Sequence, residues 1–293
     1  EKFARAMHIK GIVLNNLERY DEAITFFDKA LEVDPEYKKS LFNKGRSLLY
    51  LKQYNKAIQY YNKVLKIDSE DNYALNNKAL ALTNLKKYGD SVVWFDKALE
   101  IDPKNLFSLT GRAVALMNLK KHDEAIVYFD KALEIDPKYV HALNNKGLVL
   151  MNLKKYDEAI VWFDKALEID PKYAHALNNK GLVLMTLGKD DEAIVYFDKA
   201  LEIDPKYLNA LNNKAWALVK MERYEEALLF SEKGLVAVSN TPNNIHTMGY
   251  ILLKLKQYQD AIKWFDKALA VDPNHKDSIK DRQLAADAAK LDK

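Results

Sequence analysis

Three sets of side chains in this sequence are of types that do chemistry. Carboxylates recur four residues apart, as in Asp130 with Glu134 and Asp164 with Glu168, and paired carboxylates can act as general acid and base. His141 and His175 carry ring nitrogens of the kind that bind metal ions. Asn43, Asn77, Asn145, Asn179 and Asn213 form a third set. An asparagine amide has both a donor and an acceptor, so it can pair with a peptide unit whatever that unit's side chain. The chain has no cysteine, which removes disulfides, thiolate catalysis and cysteine-ligated zinc and agrees with a reducing compartment. It also has no glycine-rich phosphate loop, nucleophile motif or metalloprotease spacing.

A period positions all of these residues. The tripeptide Ile/Val-Asp-Pro places its proline at Pro35, Pro103, Pro137, Pro171, Pro205 and Pro273, at intervals of 34 residues or a multiple of 34. The two gaps fall on Ser69 and Ser239, which gives eight copies over residues 1–275: 4–37, 38–71, 72–105, 106–139, 140–173, 174–207, 208–241 and 242–275. Repetition bears directly on function. An active site is built once, in a heterogeneous pocket, whereas these carboxylate pairs recur beside Lys131 and Lys165 on a solvated face. The chain is therefore read as not an enzyme.

Within the copy 140–173, Leu143, Gly147, Leu150 and Leu153 recur at helical spacing and predict a first helix over roughly 140–153. Asp157 is the expected N-cap of a second helix, with Glu158 in its first turn and Ala159, Phe163, Ala166, Leu167 and Ile169 on its apolar face. Pro171 ends that helix by biasing Asp170 out of the helical region. No segment has a strand pattern. Small residues (Gly11, Gly45, Ala79, Ala113, Gly147, Gly181, Ala215, Gly249) recur in the first helix, and Ala23 to Ala261 recur in the second, with Ser91 in one copy. They let the two backbones approach closely, and Phe27, Tyr61, Phe95, Phe129, Phe163, Phe197 and Phe265 are expected to fill the wedge between hairpins. Lys44, Lys78, Lys146, Lys180 and Lys214 are expected to lay their stems on apolar surface and hold their amines in water.

Copy seven departs from the pattern. Ser231, Gly234 and Val236 to Ser239 predict a shortened or loosened second helix and leave room for a hinge before copy eight. Pro242 is expected at the first helical position behind a Thr241 cap. Residues 276–293 read as a capping helix with a polar outer face.

The 34-residue length, the small residue, the tyrosine before the second helix, the Ala, Phe and Ala, and the closing Pro resemble the tetratricopeptide repeat over residues 4–275. The resemblance implies an all-α, right-handed superhelical α-solenoid of antiparallel helix-turn-helix repeats that binds polypeptide in a groove lined by the first helices. Some members hold acidic chaperone tails with a clamp of lysines, asparagines and an arginine. Here only the middle asparagine column matches, and Asn144 and Leu148 stand where that clamp has its first lysine and asparagine, so tail binding of that kind is not expected.

On this reading the groove residues are Asn43, Asn77, Asn144, Asn145, Leu148, Met151, Asn178, Asn179, Leu182, Met185, Asn212, Asn213, Trp216 and Tyr250. The amides would hold an extended or partly helical segment by its backbone, with Leu148, Met151, Leu182, Met185 and Trp216 on its side chains. The opposing reading is that the amides satisfy one another or nearby carbonyls. His141 and His175 fall on matching sites of adjacent hairpins, about 10 Å apart, too far for one ion held at ~2 Å, so no metal or other cofactor is expected.

With 45 basic and 42 acidic residues the net charge is +3, both signs interspersed, so neither nucleic acid nor a membrane surface is an expected partner. No apolar run approaches the ~20 residues that span a bilayer, and no signal peptide is evident, so the chain is expected to be cytoplasmic. A first residue that is Glu1, without an obvious cap, points to an excised segment. The near identity of copies five and six points to recent duplication or consensus-style design. A self-associating scaffold and the docking arm of a larger protein are the rival functions.

Overall fold

The computed structural model describes residues 2–237 and 241–291. Among the described residues the regular structure is entirely helical: α1 Lys2–Asn16, α2 Tyr20–Val33, α3 Lys38–Tyr50, α4 Tyr54–Ile67, α5 Asn72–Asn84, α6 Tyr88–Ile101, α7 Leu106–Asn118, α8 His122–Ile135, α9 Val140–Asn152, α10 Tyr156–Ile169, α11 Ala174–Thr186, α12 Asp190–Ile203, α13 Leu208–Lys220, α14 Tyr224–Ala237, α15 Pro242–Lys254, α16 Tyr258–Val271 and α17 Lys276–Leu291. The chain forms two compact units, residues 1–149 and 150–293. In the first, α1/α2, α3/α4, α5/α6 and α7/α8 are antiparallel hairpins. In the second, α11/α12, α13/α14 and α15/α16 are hairpins and α17 packs on α15 and α16. Within each unit, successive first helices touch one another (α1/α3, α3/α5 and α5/α7; α11/α13 and α13/α15), while among the described residues the second helices do not. The first helices therefore line the inner side of each stack.

Two turn chemistries set the period. Inside each hairpin one residue lies in the left-handed region, as Lys52 (φ 59°), Lys154 (φ 61°) and Gly188 (φ 78°) do. The Gln53 amide then reaches back to the Leu48 carbonyl at 2.8 Å, closing the first helix by the 6→1 bond of a Schellman motif. Between hairpins the recurring aspartate is extended. Asp170 (φ −128°) leaves the helix before Pro171, and its carboxylate accepts the Lys172 amide at 3.0 Å. That bond gives the Asp-Pro pair its place in every turn that has it. The N-cap of α10 is Lys155, not Asp157, and makes no side-chain cap bond; Asp157 and Glu158 occupy the first turn, where their charge opposes the helix dipole. Thr241 caps α15 with Pro242 at its start.

Packing follows from the small residues. The wedge rings Phe27, Tyr61, Phe95, Phe129, Phe163, Phe197 and Phe265 are all fully buried, each of them worth about 1.5–3 kcal/mol of burial. They fit because the facing helix has only a small residue there, glycine in five copies and alanine in copies three and four. A methyl at Gly45 would lie 2.7 Å from the Tyr61 ring, and one at Gly181 would lie 2.6 Å from Phe197. Copy three has Ala79 at the corresponding position, and its Phe95 ring leans instead on α7. Gly111 meets it there, where a methyl would stand within 2.9 Å of three ring carbons. That contact accounts for the break in the asparagine column at Gly111.

The lysines do not reach water as expected. Lys44, Lys78 and Lys214 are each 8% exposed, because the amine is held between helices. Lys44 pairs with Asp28, Lys146 with Asp130, Lys180 with Asp164, Lys214 with Asp198 and Arg112 with Asp96. Each bond joins a first helix to the second helix of the copy before. The same cations cover rings of their own copy, Lys44 at 4.4 Å from the Tyr60 centroid and Lys214 at 3.9 Å from Phe230. Copy three breaks the pattern: Lys78 donates to the neutral Asn62. Burial, with repulsion from Lys97 added, lowers its pKa to about 8. For Lys44 burial also opposes the charge, but Asp28 and Tyr60 outweigh it and the pKa is raised.

Two further expectations are corrected. Helix α14 is 14 residues long, as α10 and α12 are, so the copy-seven sequence does not shorten it; Val238 to Asn240, where the sequence leaves room for a hinge, lie outside the described residues. The outer face of α17 is not wholly polar, since Ile279 and Leu284 are half-exposed.

Gly111→Ala should lower stability by about 1–2 kcal/mol in urea denaturation, because overpacking against Phe95 exceeds the gain in helix propensity. Asn62→Asp should raise stability at pH 7 by on the order of 1 kcal/mol. With its folded pKa depressed, Lys78 binds fewer protons than in the unfolded chain between about pH 8 and the ordinary lysine range near ~10.4, so wild-type stability from this site rises over that interval. Asn62→Asp should flatten that rise, as pH-resolved denaturation would reveal.

Candidate functional site

The residues of the first helices that neither fill wedges nor clamp neighbours face the inner side of each unit. In the first unit, Asn43, Asn77 and Asn145 are half-buried and make the same bond: each Nδ2 donates to the carbonyl four residues earlier, Lys39, Tyr73 and His141, at 2.8–2.9 Å. The donor is thus committed within the helix and the amide presents its oxygen. Around Asn77 opens a cleft of about 670 Å³, with Leu49, Tyr50, Tyr73, Leu80 and Phe107 as its apolar lining and Arg46, Asn76, Asn105 and Asp102 as its polar one. Tyr73 is 76% exposed. A smaller cleft, about 260 Å³, lies beside it between Leu80, Phe107, Val114, His141 and Asn145. Leu148 is half-buried on the same unit.

In the second unit the amides bond to one another. Asn213 donates to the Asn178 oxygen at 2.9 Å, Asn178 reaches Asn179 at 3.4 Å, and Asn212 donates to Asn244. This ladder crosses α11, α13 and α15. Asn144 and Asn178 are buried, at 4% and 3% exposure; Asn178, through Asn213, belongs to the packing between first helices. In the first unit the Ser47 hydroxyl donates to the Asn15 oxygen and the Ser108 hydroxyl to the Asn76 oxygen, both at 2.7 Å. Met151, Leu182, Met185, Trp216 and Tyr250 are half-buried, with Trp216 and Tyr250 rings 5.3 Å apart. His175 meets the Tyr207 hydroxyl at 2.8 Å. Among the described residues no three His, Asp or Glu side chains converge as a metal site needs, and no helix is long and apolar enough to cross a membrane.

Two features escaped sequence reasoning. Acidic residues are sorted by helix: α1, α3, α5, α7, α9, α11, α13 and α15 contain no aspartate or glutamate, while basic residues occur in both sets of helices. Counting charge along helices rather than along the chain would have found it. The second is Arg46, the one charge in the column Ile12, Arg46, Leu80, Val114, Leu148, Leu182, Trp216, Tyr250. Its Nε is buried without a hydrogen-bond partner, as is the Tyr61 hydroxyl. Burial raises the Tyr61 pKa well above the ordinary phenol value, and the charge of Arg46 opposes that rise.

Models of the tetratricopeptide repeat match residues 73–105, 107–139, 140–173, 174–207 and 246–275, and further models of the same description match 2–70 and 196–228. No curated protein matches the sequence. Among solved structures, the APC/C hetero-tetramer Cut9-Hcn1 is similar at a TM-score of 0.73 and 20% identity, over 95% of this chain and 55% of that one; this chain thus spans about half the length of that relative. A tetratricopeptide repeat protein from Parabacteroides merdae aligns at 0.65 and 21% identity, over 85% and 98% of the two chains. PilW, a type IV pilus biogenesis factor, aligns at 0.63 and 25% identity, over 71% and 97%. This fold generally serves as a scaffold for protein–protein interaction. By its repeats and its fold, the chain belongs to the tetratricopeptide repeat family.

Proposed function

We propose that the inner, first-helix face of each unit binds an extended or partly helical polypeptide segment. The observation that carries this reading is the makeup of that face, in which half-buried asparagines alternate with apolar and aromatic side chains that stay partly exposed. In the first unit, Asn43, Asn77 and Asn145 present oxygens to backbone N–H groups, and Tyr73, Leu80, Phe107 and Leu148 take side chains. In the second, Asn179 and Asn213 hold backbone and Met151, Leu182, Met185, Trp216 and Tyr250 take side chains. The buried Asn178 acts by fixing the helices through Asn213, and Asn212 does so through Asn244. The binding array is eight copies over 1–275, ended by the helix in 276–293, and works as a scaffold rather than an enzyme.

Self-association is a second reading, favoured by one observation. Ile9, Val13 and Leu17 form an exposed apolar row along α1 and its end, and Ile279 and Leu284 are half-exposed on α17. Sedimentation equilibrium separates the two: an average mass rising with concentration would favour end-to-end copies. For the principal reading, Asn77→Ala with Asn145→Ala should weaken a peptide selected on the full chain at least about tenfold, the loss of two net hydrogen bonds, with an unchanged helical signal. Undiminished affinity in titration calorimetry would remove the amides from the site.

A further inference from the structure

The cleft around Asn77 carries a more specific reading, which rests on the polypeptide-binding face proposed above. Of the arginines other than Arg46, Arg19, Arg112, Arg223 and Arg282 each hold a carboxylate, and Arg5 is exposed to solvent. Arg46 has no hydrogen-bond or ion-pair partner among the described residues, although its Nε is buried. Its outer nitrogens are not among the buried unpaired atoms and have no acceptor from the described residues; a carboxylate supplies two oxygens that can pair with them. The surroundings favour that sign of charge. None of α1, α3, α5 and α7 contains an acidic residue, while Lys39 is exposed on the same helix as Arg46. The one carboxylate lining the cleft, Asp102, belongs to the turn before α7, across α5 from Arg46, and is engaged by the Lys104 amide at 3.1 Å and by Asn105. The cleft is thus polarised, cationic at α3 and anionic at its far rim. Its floor and walls are large and apolar: Tyr50 stacks on Tyr20 with centroids 4.9 Å apart, and Tyr73 and Phe107 stand exposed.

We propose that this cleft recognises an acidic polypeptide segment, one in which an aspartate or glutamate side chain pairs with Arg46 and an adjacent aromatic or aliphatic side chain lies against Tyr73, Leu80 and Phe107. The volume of about 670 Å³ takes one large side chain together with its flanking backbone. Asn77 offers its oxygen to the segment's N–H. The column of apolar residues at the equivalent positions of the other copies makes Arg46 a local specificity determinant rather than part of the general face.

The test is selection of a random dodecamer phage library on the full chain, followed by anisotropy titration of the enriched, fluorescein-labelled peptides against wild type, Arg46→Gln, Arg46→Lys and Tyr73→Ala. The expected result is enrichment of Asp or Glu next to a large apolar residue. Arg46→Gln should weaken those peptides about tenfold or more, as loss of a charge-assisted pair does. Arg46→Lys, which retains the charge and guards against a folding artefact, should weaken them less, and Tyr73→Ala should also weaken them. Affinity for wild type should fall more steeply with added salt than affinity for Arg46→Gln. Enriched peptides that lack acidic residues and bind Arg46→Gln equally well would overturn the inference and leave the binding face intact. No enrichment at all would overturn both. Binding of labelled poly(U) RNA that Arg46→Gln abolishes, with no peptide enriched, would overturn the polypeptide assignment in favour of nucleic acid.

Discussion

A ring can be buried between two helices only where the residue facing it is small, glycine in most copies and alanine in copies three and four, and the rest of this molecule depends on that close approach. Phe27 against Gly11, Tyr61 against Gly45, Phe197 against Gly181 and Phe265 against Gly249 are the same contact made in copies one, two, six and eight. Each brings a first and a second helix close enough to bury the ring completely. Glycine inside a helix costs about 1 kcal/mol relative to alanine, and the buried ring offsets that cost. Once the ring fixes the hairpin, the next hairpin has a single surface on which to stack. The two turns, one held by a left-handed residue and one by the Asp-Pro pair, need only return the chain to the same place every 34 residues.

Stacking consumes the acidic residues in a particular way. In copies two and four to seven the cation before the small residue of the first helix reaches back to a second-helix aspartate of the previous copy, and Lys44 and Lys180, for example, also cover a ring in their own copy. Joining neighbouring copies therefore takes place on the side where second helices present carboxylates. The inner face is left without any acidic first-helix residue. Fold and binding chemistry are linked at this point: the arrangement that holds copies together also sets the sign of the surface offered to a partner. Copy three illustrates the dependence, since Asn62 in place of aspartate leaves Lys78 with a neutral partner and a pKa lowered by burial.

The hairpins, the wedge rings and the turn prolines were legible in the sequence because a period of 34 residues repeats the same local physics and averages out its exceptions. Pairwise compensation was not legible. Gly111 reads as a gap in an asparagine column until Phe95 is seen leaning on it. The clamp lysines read as snorkelling until Asp28, Asp130 and Asp164 are brought to them from 16 residues away. The asparagine column is part binding face and part packing, and a one-residue difference in helical phase separates Asn145, half-buried, from the buried Asn144. Arg46 was overlooked because a lone exception in a column of apolar residues has no periodic signal; its meaning comes from the partner it lacks.

The most direct test of the central claim, that first helices present the partner-binding surface, is hydroxyl-radical footprinting of the full chain with and without a selected dodecamer peptide. Protection of Tyr73, Phe107, Met185 or Trp216, with unchanged oxidation of the outward Val127, Val161 and Val195 on the second helices, is the expected result. Protection of those valines, with the first-helix aromatics still fully reactive, would contradict it.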